Sequence, residues 1–258
     1  MLHFGPRASD AFDAIRHNLR ATRVRLGAME TALQEEHKDW QLDLDARLTS
    51  FAKLANVVES TELALKFQAE YLSDALWWQA NYVPRPSTRD TAIYITEFSQ
   101  FAKTGFLQLC FGALESSLRI FLRTIDPAAC GGGTAEFKSV YECLIRSKLR
   151  LQAAADRVAL LDLLRNLRNS IHNHGVIFSR SSGDTYVVYR GTQYDFAHAT
   201  SIGFATWLLL VGLVCDAADL LDEIVRAPEI AGIAAPIVDP AAAPGDRSQT
   251  ATTDEREL

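Results

Sequence analysis

Between Pro6 and Pro84 the chain holds no proline and a single glycine, Gly27. Proline removes a backbone donor and glycine loosens a helix, so a long stretch without them is free to run as long helices. Apolar residues recur there at 3-4 spacing, first at Phe12, Ile15, Leu19, Leu26, Met29, Leu33 and Trp40. A second set comes at Leu44, Leu48, Phe51, Ala55, Val58, Leu65, Leu72 and Leu76. That spacing places each set on one face of a helix. The expectation is two long helices over residues 1–86, breaking near His37–Trp40 or at Gly27. They form an antiparallel pair or lie along the rest as a packing or dimerisation arm. Trp77, Trp78 and Tyr82 end this arm and read as core aromatics rather than a ligand platform.

The run Val83-Pro84-Arg85-Pro86-Ser87 stops the arm, and Ser87 or Thr88 can cap the next helix. That helix is expected from about Asp90 to Thr124, mostly apolar over Phe106–Phe121, with Glu115 and Arg119 spaced to pair at i, i+4. Gly131-Gly132-Gly133-Thr134 lacks the Lys-Ser/Thr of a phosphate-binding loop. A short helix over 135–149 and a longer one over 156–174 come next, the latter stopped by Gly175. Residues 176–180 and 185–190 read as a hairpin around a turn at 181–184. A last helix is expected over 197–226, and the Ala/Pro-rich, acidic residues 229–258 as a disordered tail. The predicted class is all-α: a helical bundle over 87–228 with a long N-terminal helical arm and one small β-hairpin after the 156–174 helix.

With 258 residues, 48% of them hydrophobic, the chain can bury a core without disulfides. Its four cysteines are scattered without a Cys-x-x-Cys, which suits buried free thiols. The first residues lack the apolar stretch of a signal peptide, so a cytoplasmic setting is expected. Ala199–Cys215 is uncharged, but it is short for a membrane span and runs into Asp216, Asp219 and Asp222. It reads as a buried helix, with no membrane partner. A net charge of −6 argues against a protein that binds nucleic acid over its whole surface. Residues 141–190 are nevertheless locally basic, with eight Arg and Lys against four Asp and Glu.

Within that basic block lies Leu163-Leu164-Arg165-Asn166-Leu167-Arg168-Asn169-Ser170-Ile171-His172-Asn173-His174-Gly175. At 100° per residue Leu160, Leu164, Leu167 and Ile171 form one apolar stripe, and Arg165, Arg168 and His172 gather on its flank. Cations and asparagines also suit the end of a helix for purely structural reasons. Two fixed charges beside a titratable base can equally hold a phosphate and move a proton next to it. RNA cleavage needs those functions: a base for the ribose 2′-OH and cations for the scissile phosphate. Such chemistry requires no metal and no cofactor. His172-x-His174 lacks the further ligands of a zinc site, so no metal is expected.

Arg-Asn-x-x-His-Asn-x-Gly at a helix end, with a hairpin after it, resembles the HEPN superfamily. The upstream Phe111-x-x-Leu-Glu115-Ser-Ser-Leu-Arg119 is similar to a core helix of many members, and the resemblance spans roughly residues 88–226. It implies an all-α homodimer whose Arg-x4–6-His motifs meet across the interface and cut RNA without metal. It further implies a toxin or anti-phage defence effector, with an antitoxin or other defence partner. Arg165–His172 and Arg168–His174 fit that spacing with six and five residues between; Arg168–His172, with three, is one short. The expected roles are His172 as general base, Arg165 and Arg168 on phosphate, and Asn169 fixing the helix end or the histidine tautomer. His174 is the alternative base, and Glu115 a hydrogen-bond partner of Arg165 or Arg168. The alternative function is a non-catalytic HEPN-like scaffold or interaction protein.

Overall fold

A computed structural model describes residues 6–129, 135–171, 184–200 and 202–239. It is an all-α bundle with one two-stranded hairpin. The elements run α1 (Pro6–Glu36), α2 (Ala46–Phe67), α3 (Ala75–Asn81), α4 (Thr88–Ile125), α5 (Phe137–Glu142), α6 (Ala154–Ile171), β1 (Thr185–Tyr189), β2 (Thr192–Phe196), α7 (Trp207–Arg226) and α8 (Pro228–Ala231).

The proline-free stretch forms two long helices that pack on each other and break at His37–Asp45. Leu19, Leu26 and Leu33, spaced by sevens, are fully buried, as are Phe51, Val58 and Leu65 on α2. Arg16 and Arg20 both bond Glu62 across the pair, at 3.1 and 2.6 Å. These residues share one continuous apolar core with Leu114 and Phe121 of α4, Leu160 and Leu164 of α6, and Leu213 and Leu220 of α7. The arm is thus built into the bundle's core. Leu76 departs from the predicted stripe and is exposed. α2 ends in a π-helical turn over Gln68–Leu72, and Asp74 then caps α3 through the Leu76 N–H, which resets the helical phase.

A capping box, Ser87 with Asp90, starts α4. Its second half is buried in the core. Its first half packs with α2 and α3 around Leu72, Trp78 and Ile95. Trp78 is core, as expected, whereas Tyr71, Tyr82, Tyr94 and Phe101 stay exposed. Among the described residues α4 is the one helix long and apolar enough to cross a membrane, and half of its apolar window is buried inside the bundle.

Three expectations need correction. The hairpin pairs Thr185–Tyr189 with Thr192–Phe196, from Thr185 opposite Phe196 to Tyr189 opposite Thr192. The predicted strand over 176–180 lies outside the described residues. Arg190 and Gly191 make the turn with φ of 48° and 74°, the doubly left-handed geometry of a tight type I′ connection. Second, the last long helix starts at Trp207 rather than near 197, because the Thr206 hydroxyl accepts from the Leu209 N–H and caps it there.

Third, residues 229–239 of the predicted disordered tail are packed. Ile230 and Ile237 are buried, and Ile237 and Asp239 form backbone bonds with Ala46 and Leu44. Arg47, which is fully buried, is a main tie to this segment. Its Nε and Nη2 donate to the two Asp45 carboxylate oxygens at 2.9 and 2.6 Å. Nη1 donates to the Ile230 and Ile233 carbonyls and Nη2 to that of Ala235. Trp40 stacks on the guanidinium at 4.0 Å, and His37 stacks on Trp40. Residues 240–258 lie outside the described residues.

Candidate functional site

α6 carries the basic motif. Val158, Leu160, Leu161, Leu163, Leu164 and Leu167 bury one broad side of it against α4, α7 and the hairpin. That leaves Arg165 and Arg168, three residues apart and so neighbours on the helix surface, half-buried on its flank. The described part of α6 ends at Ile171, so His172 and His174 lie outside the described residues.

Arg165 donates from Nη2 to Asp162 Oδ1 at 3.1 Å, one turn earlier on the same helix. The same oxygen accepts a 2.5 Å bond from the Tyr141 hydroxyl. Tyr141 is fully buried, and burial, then the Asp162 carboxylate, pushes its pKa well above the usual phenol range. The hydroxyl therefore stays a donor at any physiological pH. Arg165 Nε is shielded from solvent and has no hydrogen-bond partner among the described residues. A hidden, unmatched donor on a permanent cation is uncommon enough to need a reason.

Arg168 has a different setting. Its guanidinium lies 5.7 Å from the centre of the Phe111 ring, and its Nη1 donates to Asn169 Oδ1 at 3.3 Å. It has no carboxylate partner among the described residues. Asn169 is exposed and bonded to this arginine. Glu115 does not reach either motif arginine. It accepts from Arg119 Nε and Nη2 at 3.0 and 2.7 Å, the i, i+4 neighbour on its own helix. Arg119 also donates to the Ala135 carbonyl, tying α4 to the start of α5.

Tyr141, Asp162 and Phe137 are the site neighbours that motif reading misses. Asp162 was accessible in principle, three residues before Arg165 on one helix. Tyr141 and Phe137 reach the site only through the packing of α5 on α4 and α6.

A separate cleft of about 540 Å³ is lined by Arg150, Arg157, Asp219, Asp222, Glu223 and Arg226. Its carboxylates are matched by arginines: Arg25 to Asp219, Arg157 to Glu223 and Arg226 to Asp222. Arg157 is eight residues before Arg165, about 12 Å along α6, so this cleft is distinct from the motif flank. Among the described residues no group of three or more His, Cys, Asp or Glu is arranged to hold a metal ion. No protein-family model matches the chain, and no match is found among curated proteins or solved structures.

Proposed function

We propose that this chain is a metal-independent endoribonuclease of HEPN type, acting as a homodimeric toxin or defence effector. The observation that carries the reading is the unequal pairing of its adjacent motif arginines. Among the described residues Arg168 has no carboxylate partner, whereas Arg165 is already held by Asp162. A phosphate oxygen supplies the anion that Arg168 lacks.

In this scheme His172 takes the proton from a ribose 2′-OH. The 2′-oxygen attacks phosphorus, the P–O5′ bond breaks, and the leaving 5′-oxygen takes a proton from water, so the products carry a 2′,3′-cyclic phosphate and a 5′-OH. Arg165 and Arg168 hold the non-bridging oxygens while negative charge builds on them. The test is incubation of the purified chain with RNA in EDTA. Expected are fragments ending in 2′,3′-cyclic phosphate, lost in Arg168→Ala and His172→Ala, and growth inhibition on overexpression that the same variants relieve. Intact RNA together with harmless overexpression overturns the reading.

A second reading, a non-catalytic interaction protein of the same fold, is favoured by the exposed aromatic side chains Tyr71, Tyr82, Tyr94 and Phe101. In that case His172→Ala lowers the melting temperature and leaves no activity to lose.

A further inference from the structure

The two motif arginines are reached from below by one short helix. Phe137 and Tyr141 lie four residues apart on α5, hence on one face, and both are buried. Their rings meet edge to face at 5.1 Å. Phe137 meets Phe111 in the same manner at 5.2 Å and 82°, and Arg168 rests over Phe111. Tyr141 bonds the Asp162 oxygen that also holds Arg165. The contacts link six side chains in order: Arg165, Asp162, Tyr141, Phe137, Phe111, Arg168.

We propose that Phe137 and Tyr141 are positioning residues for the anion site, Tyr141 setting Arg165 through Asp162 and Phe137 setting Arg168 through Phe111. The assignment rests on the nucleic-acid reading above for its consequence, not for its geometry. Asp162 Oδ1 takes two donors from two different elements. With the Tyr141 O–H gone, the carboxylate is held only by the arginine it is meant to orient, and both are free to turn. The T-shaped packing of Phe137 fixes the tilt of the Phe111 ring, and that ring's face is the surface on which the Arg168 cation rests. Neither α5 residue touches the substrate in this scheme. Their effect passes entirely through one arginine each.

That separation is measurable. The probe is a fully 2′-O-methylated, single-stranded RNA oligonucleotide, which binds but is not cleaved, followed by fluorescence anisotropy with the full chain. Tyr141→Phe keeps the ring and removes the hydroxyl. It is expected to weaken binding roughly 3- to 10-fold, the range for one ordinary hydrogen bond, because the lost bond acts on RNA only through Arg165. In an Arg165→Ala background it should cost nothing further, while in an Arg168→Ala background the whole penalty should remain. Phe137→Leu should show the mirror pattern, its penalty vanishing only with Arg168→Ala. Equal penalties in every background overturn the proposal, because a merely structural role does not depend on which arginine is present.

An independent readout is the Arg165 Nε–Hε NMR signal. It should be sharp and slow to exchange in the parent chain, and broadened or lost in Tyr141→Phe. An unchanged signal overturns the Tyr141 arm whether or not RNA binds. If Arg165→Ala and Arg168→Ala leave RNA binding intact, the nucleic-acid reading fails, and the NMR signal still decides the positioning.

Discussion

Arg47 and Arg165 are two arginines drawn deep into this molecule, and they are treated in opposite ways. Arg47 is completely buried, and its guanidinium donors are divided among Asp45 and three backbone carbonyls, with Trp40 across its face. Arg165 is half-buried, bonded by one nitrogen to one carboxylate, and its Nε is hidden without a partner among the described residues. Fully matched donors mark a side chain whose work is to hold the fold. Among the described residues Arg165 lacks that full match. Burial alone does not separate these cases; the donor inventory does.

The largest effect should come from the matched site. Arg47→Ala leaves Asp45 buried and uncompensated and releases the carbonyls of Ile230, Ile233 and Ala235. Removing one partner of a buried pair costs about 3–5 kcal/mol. Urea denaturation should show a loss in that range, and limited proteolysis should begin in residues 228–239. A loss below about 1 kcal/mol, the scale of an exposed pair, breaks the comparison.

Arg168→Ala is expected to invert that ratio of function to stability. Its cation–π contact with Phe111 is worth only about 0.5–1 kcal/mol, so the melting temperature should hardly move. RNA cleavage should fall about 100-fold or more, the effect of removing a donor aimed at developing charge. A variant that unfolds would place Arg168 with Arg47 as a structural arginine, and one that cleaves normally would remove it from the site.

A middle case sharpens the scale. Tyr189 donates to Asp216 at 2.8 Å and pins the hairpin to α7, while Arg190 bonds the other Asp216 oxygen. Tyr189→Phe should cost about 1 kcal/mol, because Asp216 keeps the second partner and is not stranded. Thermal unfolding measures it.

The same contrast explains what the sequence could disclose. The long helices were legible because nothing interrupts them and because Leu19, Leu26 and Leu33 repeat their period in the primary structure. The motif arginines were legible as neighbours because three residues make most of one helical turn. The hairpin was mislocated by one strand: Val176–Arg180 is as β-prone as Thr192–Phe196, and Arg190-Gly191 is a less familiar turn signal than Ser-Gly-Asp. Residues 229–239 read as a disordered tail because their composition is Ala- and Pro-rich. Their order comes from partners more than 180 positions earlier, Arg47 and the backbone of Leu44 and Ala46 among them. Tyr141 and Phe137 were invisible for the same reason: composition and period describe faces of elements, and long-range pairing is settled only by how the elements pack.

The smallest expected effect concerns acid stability. Burial of Glu62 alone would raise its pKa, but the bonds from Arg20 and Arg16 outweigh that and hold it below the ordinary carboxylate range. A carboxylate with a depressed folded pKa stabilises the fold above its unfolded pKa, about 4.3 for Glu, and that contribution is lost as pH falls through the lower folded value. Glu30 works in the opposite sense. Burial and the nearby Asp43 raise its pKa, so its charge weighs against folding at neutral pH and the penalty is relieved on acidification. Glu62→Gln should therefore reduce stability at pH 7 and flatten the acid limb below about pH 4. Glu30→Gln should raise stability at pH 7 slightly and leave that limb steep. Both changes should stay within about 1 kcal/mol, since Arg20 is largely solvated and Glu30 is only half-buried. Urea midpoints between pH 3 and 7 for the two variants provide the check, and identical acid limbs would show that α1 and α2 are joined by their leucines alone.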